Sequence, residues 1–449
     1  MRMFRNKFCS FLLLVSVALV AACTSKTSTT VPSSDPTVSS LTFQPQDSFP
    51  GLAQAVFVVE DRLDTGWIYN DDSLLYGTRV DSVVPRFVFN HTPASAVLYT
   101  AFDTTVITGY DTVNLTVNPS LLYVLSEDQK VEKWYQVTVT VHQVDPDLFR
   151  WQRLTDSAFP PVAGEQKAFW INSGISLLQS DGTKVRLIRS ADGSNWTEQT
   201  VSGLPADCRV RSIIEADGML CYAVGKTVYT STDAANWTVQ DFSAETYSFV
   251  SMLMSYNDSI WALVERGDSL MLVVSRDATT FALRGDMPDN FPVSDFAAVN
   301  FLSRTYRSRT LIVGGYDRHG NALNSRWAVE YSPERGYRWT NYSIEQPSFN
   351  DLTGASLIFY NDRLYMFGGA TDNYKIGEAD MLESVDEGMN WTVPDSTHNC
   401  LPDNYRSRTR QTVFVSNGDV YIIGGQSRTE VFTDVFRGRL NSIDWETKD

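Results

Sequence analysis

The stretch Ser384-Val385-Asp386-Glu387-Gly388-Met389-Asn390-Trp391 decides the fold. It recurs as Ser190-Ala191-Asp192-Gly193-Ser194-Asn195-Trp196 and as Ser231-Thr232-Asp233-Ala234-Ala235-Asn236-Trp237. Weaker copies run from Ser275 to Phe281 and from Ser332 to Trp339. In such a turn the Ser and Asp side chains accept hydrogen bonds from local amides, as in Asx and ST turns. The aromatic residue then begins a strand and packs its ring on a neighbouring layer. With Trp151 and Trp445 the aromatic marker falls at 151, 196, 237, 281, 339, 391 and 445, with gaps of 45, 41, 44, 58, 52 and 54 residues. Periods in this range mark propeller blades of four strands each.

A second marker lies inside the later repeats. Leu311-Ile312-Val313-Gly314-Gly315, Tyr365-Met366-Phe367-Gly368-Gly369 and Tyr421-Ile422-Ile423-Gly424-Gly425 are apolar strands ending in Gly-Gly. An unbroken apolar run suits a strand buried on both faces between blades, and a Gly pair supplies positive φ and room for a close backbone approach. The pattern resembles the kelch repeat, in which a Gly pair ends the second strand and a Trp follows near the fourth. The resemblance covers about 300 residues at the level of fold and is strongest in the C-terminal half. Residues 148–449 therefore read as a six-bladed kelch-like β-propeller, with first strands near 165–172, 209–215, 249–254, 294–301, 353–359 and 410–416. Two ways to close the ring stay open. Trp151-Gln152-Arg153-Leu154 completes the sixth blade, or the C-terminus around Trp445 does so. The few residues after Trp445 favour the N-terminal strand.

Ahead of the propeller, residues 41–145 hold β-branched and aromatic runs without helical period. Residues 55–59, 85–89, 96–99, 113–117 and 135–141 are candidate strands, the last alternating Val with polar residues as a half-buried strand does. This predicts a β-sandwich, so the chain as a whole reads as all-β. The closing strand after Ser126-Glu127-Asp128-Gln129-Lys130 resembles the Ig-like or cadherin-like spacer modules of exported Bacteroidota proteins. Asp145-Pro146-Asp147 reads as the linker, since Pro stops a ladder.

Residues 1–22 read as a signal peptide: Arg2, Arg5 and Lys7 precede an uncharged apolar run from Phe8 to Ala22, too short for a membrane span. Val20-Ala21-Ala22-Cys23 resembles a bacterial lipobox, which implies cleavage before Cys23 and lipid attachment to it. Residues 23–40, rich in Ser and Thr, then form a lipidated flexible tether. The expected location is the outer membrane, lipid-anchored, on its periplasmic or cell-surface side, with the membrane met only through the anchor. Removing the three basic signal residues from 37 leaves 34 Lys and Arg against 53 Asp and Glu, a net charge of −19. That balance excludes nucleic acid as a partner, which requires a basic footprint. Cys208 and Cys221 do not pair: an Asp217-Gly218 hairpin turn sets Cys221 opposite Ile214, leaving buried thiols.

Candidate chemistry is sparse. The Ser/Asp motif is shared with sialidases, but the Arg-Ile-Pro signature of that family is missing. Gly267-Asp268-Ser269-Leu270 and Asp395-Ser396-Thr397-His398 resemble the signature of a lipase and esterase family, yet Arg266-Gly267-Asp268 reads as a hairpin turn between strands of one blade. His91, His142, His319 and His398 have no ligand spacing, and neither metal nor cofactor is expected. Tyr306–Thr310 and Tyr405–Thr409 repeat Tyr-Arg-Ser-Arg-Thr, but their registers place Arg309 and Arg408 toward opposite faces of the propeller.

The face where first strands begin and the loops after Gly-Gly emerge is, by the kelch resemblance, the binding face. Its candidate ligand residues are Tyr316, Arg318 and His319 with Asp317, Asp372 and Tyr374, Arg428, Asp351, and Tyr405, Arg406 and Arg408. Aromatic, amide and Arg groups suit a glycan or a peptide segment. The chain resembles uncharacterised Bacteroidota lipoproteins that pair an Ig-like module with a kelch-type propeller. The resemblance implies a non-enzymatic binding or scaffold protein, with a kelch-type glycan-active enzyme such as a sialic acid mutarotase as the alternative. In that alternative Arg408 and Asp351 would transfer protons at the central opening.

Overall fold

Strands and turns make up nearly all of the described residues, which are 31–46, 49–344, 349–370 and 380–444 of a computed structural model. They fall into two units that divide between Asp145 and Pro146.

In the first unit Val38–Phe43 pairs with Pro85–Phe89. A second, six-stranded sheet has the order Phe57–Glu60, Thr65–Asn70, Glu132–Thr138, Ser120–Leu125, Ser95–Tyr99, Thr104–Val106. Its strands alternate, so Ile68, Leu98, Leu122, Val124, Tyr135 and Val137 meet Leu41 and Phe43 in one core. Thr65–Asn70 and Glu132–Thr138 run parallel. Two details depart from expectation. Val38 is already paired and buried, within residues assigned to the tether. The 113–117 run makes only a single bridge, Val83 to Val113, because the Asn114 side chain accepts from the Thr116 amide at 3.0 Å and turns the chain.

The second unit is a ring of six antiparallel sheets. Blade 1 begins at Glu165–Ile171, blade 2 at Ile214–Ala216, blade 3 at Ser248–Ser255, blade 4 at Ala297–Leu302, blade 5 at Ser356–Tyr360 and blade 6 at Thr412–Ser416. Among the described residues blade 5 has three strands, extended by a bridge from Glu383 to Thr392. Blade 6 takes its fourth strand from Phe149–Thr155, which pairs antiparallel with Val431–Leu440. The N-terminal strand thus closes the ring.

Six apolar clusters occupy the six blade interfaces among the described residues. Each holds one aromatic marker: Trp196 between blades 6 and 1, Trp237 between 1 and 2, Phe281 between 2 and 3, Trp339 between 3 and 4, Trp391 between 4 and 5, Trp151 between 5 and 6. The repeated turn aims these rings. Ser190 Oγ accepts from the Gly193 amide at 2.8 Å, Asp192 Oδ1 accepts from Ser194 and Asn195, and Trp196 Nε1 donates to the Gly193 carbonyl at 2.8 Å. In blades 2 and 5, Trp237 and Trp391 donate to Ala234 and Gly388 in the same way.

The Gly pairs have an inter-blade purpose. A Cβ on Gly314 would lie 2.2 Å from the Leu352 carbonyl oxygen, and one on Gly368 would lie 2.2 Å from that of Arg408. Each pair therefore makes room for the chain running into the next blade. Cys208 and Cys221 are free and buried. Cys221 stands opposite Ile214, as the Asp217-Gly218 turn requires.

Candidate functional site at the channel inlet

The first strands of the blades surround a central channel. We call the face where they begin the inlet face; the Ser/Asp turns lie at the other end. At the inlet, arginines from blades 2 and 6 converge on Asp295 of blade 4. Arg211 Nε approaches Asp295 Oδ1 at 3.1 Å and Arg410 Nη2 approaches Oδ2 at 3.0 Å. Arg211 also donates to the Ala355 carbonyl of blade 5 at 2.7 Å. The Asp295 side chain is 1% exposed. Oδ1 and Arg211 Nε are close but misaligned, and neither has a hydrogen-bond partner among the described residues. Burial alone would raise the Asp295 carboxyl. The charges of Arg211, Arg410 and Arg209 outweigh it and hold the group below the usual carboxylate range.

Beside this cluster Arg209 Nε lies 3.4 Å from Glu165 Oε1. Lys167 Nζ donates to the carbonyls of Arg211 and Ile213, at 3.1 and 2.6 Å, tying blade 1 to blade 2. Burial, helped by the charge of Arg211 and opposed by Glu165, pushes the Lys167 ammonium down to about 7. Three arginines and a lysine therefore surround two carboxylates, in a chain whose net charge is −16.

Backbone geometry holds the cluster in place. Asp295, Gly354 and Arg410 each stand two residues before an inner strand, with φ of 52°, 68° and 56°. The Gly354 amide donates to the Asp295 carbonyl at 3.0 Å and the Arg410 amide to the Gly354 carbonyl at 2.8 Å, a chain of bonds running across three blades. Glycine adopts this left-handed region freely. Asp and Arg do so at a cost of order 1 kcal/mol each, a kind of strain that concentrates at functional sites.

The residues expected to bind ligand do not form one site. Arg408 is fully buried: it donates to Asp434 Oδ2 at 3.2 Å and lies 4.1 Å from the Phe432 ring and 4.6 Å from Tyr405. Its expected exposure at the rim is corrected, since no ligand reaches a side chain enclosed within blade 6, and a proton-transfer role falls with it. Burial raises the Tyr405 phenol, whose oxygen is enclosed as well. Arg318 bonds the Asp268 carbonyl of the blade 3 hairpin at 2.6 Å, acting as a clamp between blades. Asp317 accepts from His319, Asn321 and the Asn321 side chain, which shapes that loop. Arg406 pairs with Glu430 at 2.6 Å on the surface. Tyr316 is half-buried, and His319, Asp351 and Arg428 are exposed. Asp372, Tyr374 and Cys23 lie outside the described residues. Arg309 points away from the inlet, paired with Glu330 and with Glu387 of a Ser/Asp turn. Ser269 sits in a hairpin, paired with Arg266.

Sequence reasoning missed Glu165, Lys167, Arg209, Arg211, Asp295 and Arg410. The only available signal was Arg209-Val210-Arg211 and Glu165-Gln166-Lys167 ahead of inner strands, in blades that lack the Gly-Gly marker.

A closed ring of blades around a charged inlet defines a β-propeller protein. The chain belongs to the DUF6242 family: the DUF6242 beta propeller domain matches residues 145–448, and the N-terminal domain of unknown function of the same family matches 24–139. No curated protein matches the chain. Among solved structures it is similar to one described as "Structure of YjhT", at 13% identity and a TM-score of 0.45, over 63% of this chain and 96% of that one.

Proposed function

We propose that this is a non-enzymatic binding protein, lipid-anchored through Cys23 at the outer membrane, that captures a carboxylate-bearing ligand at the channel inlet. The convergence of Arg209, Arg211 and Arg410 on one buried carboxylate, Asp295, carries this reading. An incoming carboxylate competes with Asp295 for the same guanidinium forks, which suit bidentate carboxylate recognition. Acidic glycans are the first class to test, by glycan array and then calorimetry. Asp295→Asn keeps a residue that tolerates left-handed backbone and removes the competing carboxylate, so affinity should rise. Arg410→Ala should lower it about tenfold or more, the loss of one charge-assisted contact. Unchanged binding in both variants, or no acidic ligand bound, overturns the reading. The anchor is tested separately: radiolabelled palmitate should follow the protein, and Cys23→Ala should release it.

One observation favours the alternative of a glycan-active enzyme. Lys167, lowered to about 7, lies beside Glu165, and such a pair suits proton exchange near neutrality. Interconversion of sugar anomers, followed by NMR and abolished by Glu165→Gln, would establish it.

A further inference from the structure

Behind the charged inlet the channel opens into a cavity of about 350 Å³, a size suited to small molecules. Lys167 and Arg211 stand at its inlet end. Beyond them Phe169, Phe296, Val299, Phe359 and Phe414 make most of the wall, with Asn300 among them. An apolar wall is unexpected, because inner strands turn an unpaired backbone edge toward a channel. Here neighbouring blades cover several of those groups. Thr412 Oγ1 accepts from the Ala168 amide at 3.0 Å, Ser356 Oγ donates to the Gln411 carbonyl at 2.7 Å, and Lys167 occupies two carbonyls of blade 2. Toward the Ser/Asp-turn face the inner strands of blades 4 and 6 end near Leu302, 54% exposed, and Val415, 38% exposed. The channel is thus cationic at one end and mostly apolar beyond it, with Asn300 the exposed polar residue of its wall.

We infer that the channel takes an amphipathic monocarboxylate, with its head at Arg211 and Lys167 and its apolar body along the lumen toward the Ser/Asp-turn face. This rests on the reading that the arginine cluster holds an anion, and it names the ligand class. A sugar acid uses only the charged end. An alkyl chain also buries against the phenylalanines, and each buried CH₂ contributes in proportion to its area.

The test is calorimetry on the purified protein in detergent-free buffer, carrying Cys23→Ser to prevent acylation. The probes are glucuronate and the linear carboxylates from butanoate to decanoate, each below its micellar concentration. Affinity should tighten by about fourfold per added CH₂ until the lumen is filled. Ala298→Phe, at an exposed lumen position, should flatten the series without weakening glucuronate. Val415→Ser, at the far end of the cavity wall, should weaken only the longest chains and serves if Ala298→Phe fails to fold. Glucuronate binding with a flat chain-length series overturns this inference and leaves the anion site standing. Binding of neither class overturns both.

Discussion

Asp233 and Trp237 show what single residues contribute. Asp233 Oδ1 accepts from the amides of Ala235 and Asn236 at 2.9 and 2.8 Å, fixing a turn in which Ala234 has a φ of 58°. Trp237 bonds back to the Ala234 carbonyl and is buried between blades 1 and 2. Trp237→Ala should cost about 3–5 kcal/mol in denaturant unfolding of the propeller. Lys167 has a different signature. Its folded-state value of about 7 lies below the ordinary 10.5, so the unfolded chain binds the proton more tightly. The stability cost of charging it is fully present below pH 7 and fades as pH rises toward 10.5. Urea unfolding between pH 7 and 9 should therefore show stability rising with pH relative to Lys167→Met, which lacks that slope. Parallel profiles would refute the buried-amine account.

At the scale of elements, the strand Phe149–Thr155 decides whether the ring is closed. Phe149 is buried against Trp151, Tyr360 and Tyr365, with centroids 5.5, 5.8 and 6.0 Å away. Phe149→Ala should cost about 3–5 kcal/mol and expose the blade 5–6 interface to limited proteolysis before the other interfaces. Within blade 6, Arg408→Ala leaves the buried Asp434 with only the 3.4 Å contact from Arg153, which should cost about 3 kcal/mol. Because Arg408 is enclosed, the folded fraction of that variant should bind ligand as the parent does. Weaker binding by correctly folded Arg408→Ala would return this residue to the site. The elements themselves were largely legible. The Gly pairs of the last three blades and the aromatic markers placed five inner strands within a few residues, because both are demanded by contacts between adjacent blades; in blade 2 the expected 209–215 strand begins only at Ile214, after a 3-10 turn at Val210–Ser212. The 113–117 run was misread because its alternation is strand-like, while the capping by Asn114 is visible only in space.

At the scale of the whole molecule, the distribution of charge matters more than its sum. An acidic chain concentrates cations at the channel inlet, where low exposure strengthens each interaction. Asp295, held below the usual carboxylate range, stabilises this arrangement above its ordinary value of 3.8, and that contribution is lost as pH falls and the group is protonated. Acidification below about pH 4 should therefore loosen the inlet first, seen as faster amide exchange at Gly354 and Arg410 than at the blade interfaces.

The sequence by itself determined the blade number, the unpaired thiols and the structural nature of the Ser/Asp turns. All of these rest on local hydrogen bonding or on a fixed period along the chain. The tertiary structure alone decided which charges meet. Arg408 and Arg410 are two residues apart and would share one side of an extended strand. The left-handed backbone at Arg410 separates them, sending one to Asp434 within the blade and the other to Asp295 across the channel. Residues 165, 211, 295 and 410 come from four different blades, and only closure of the ring brings their side chains together.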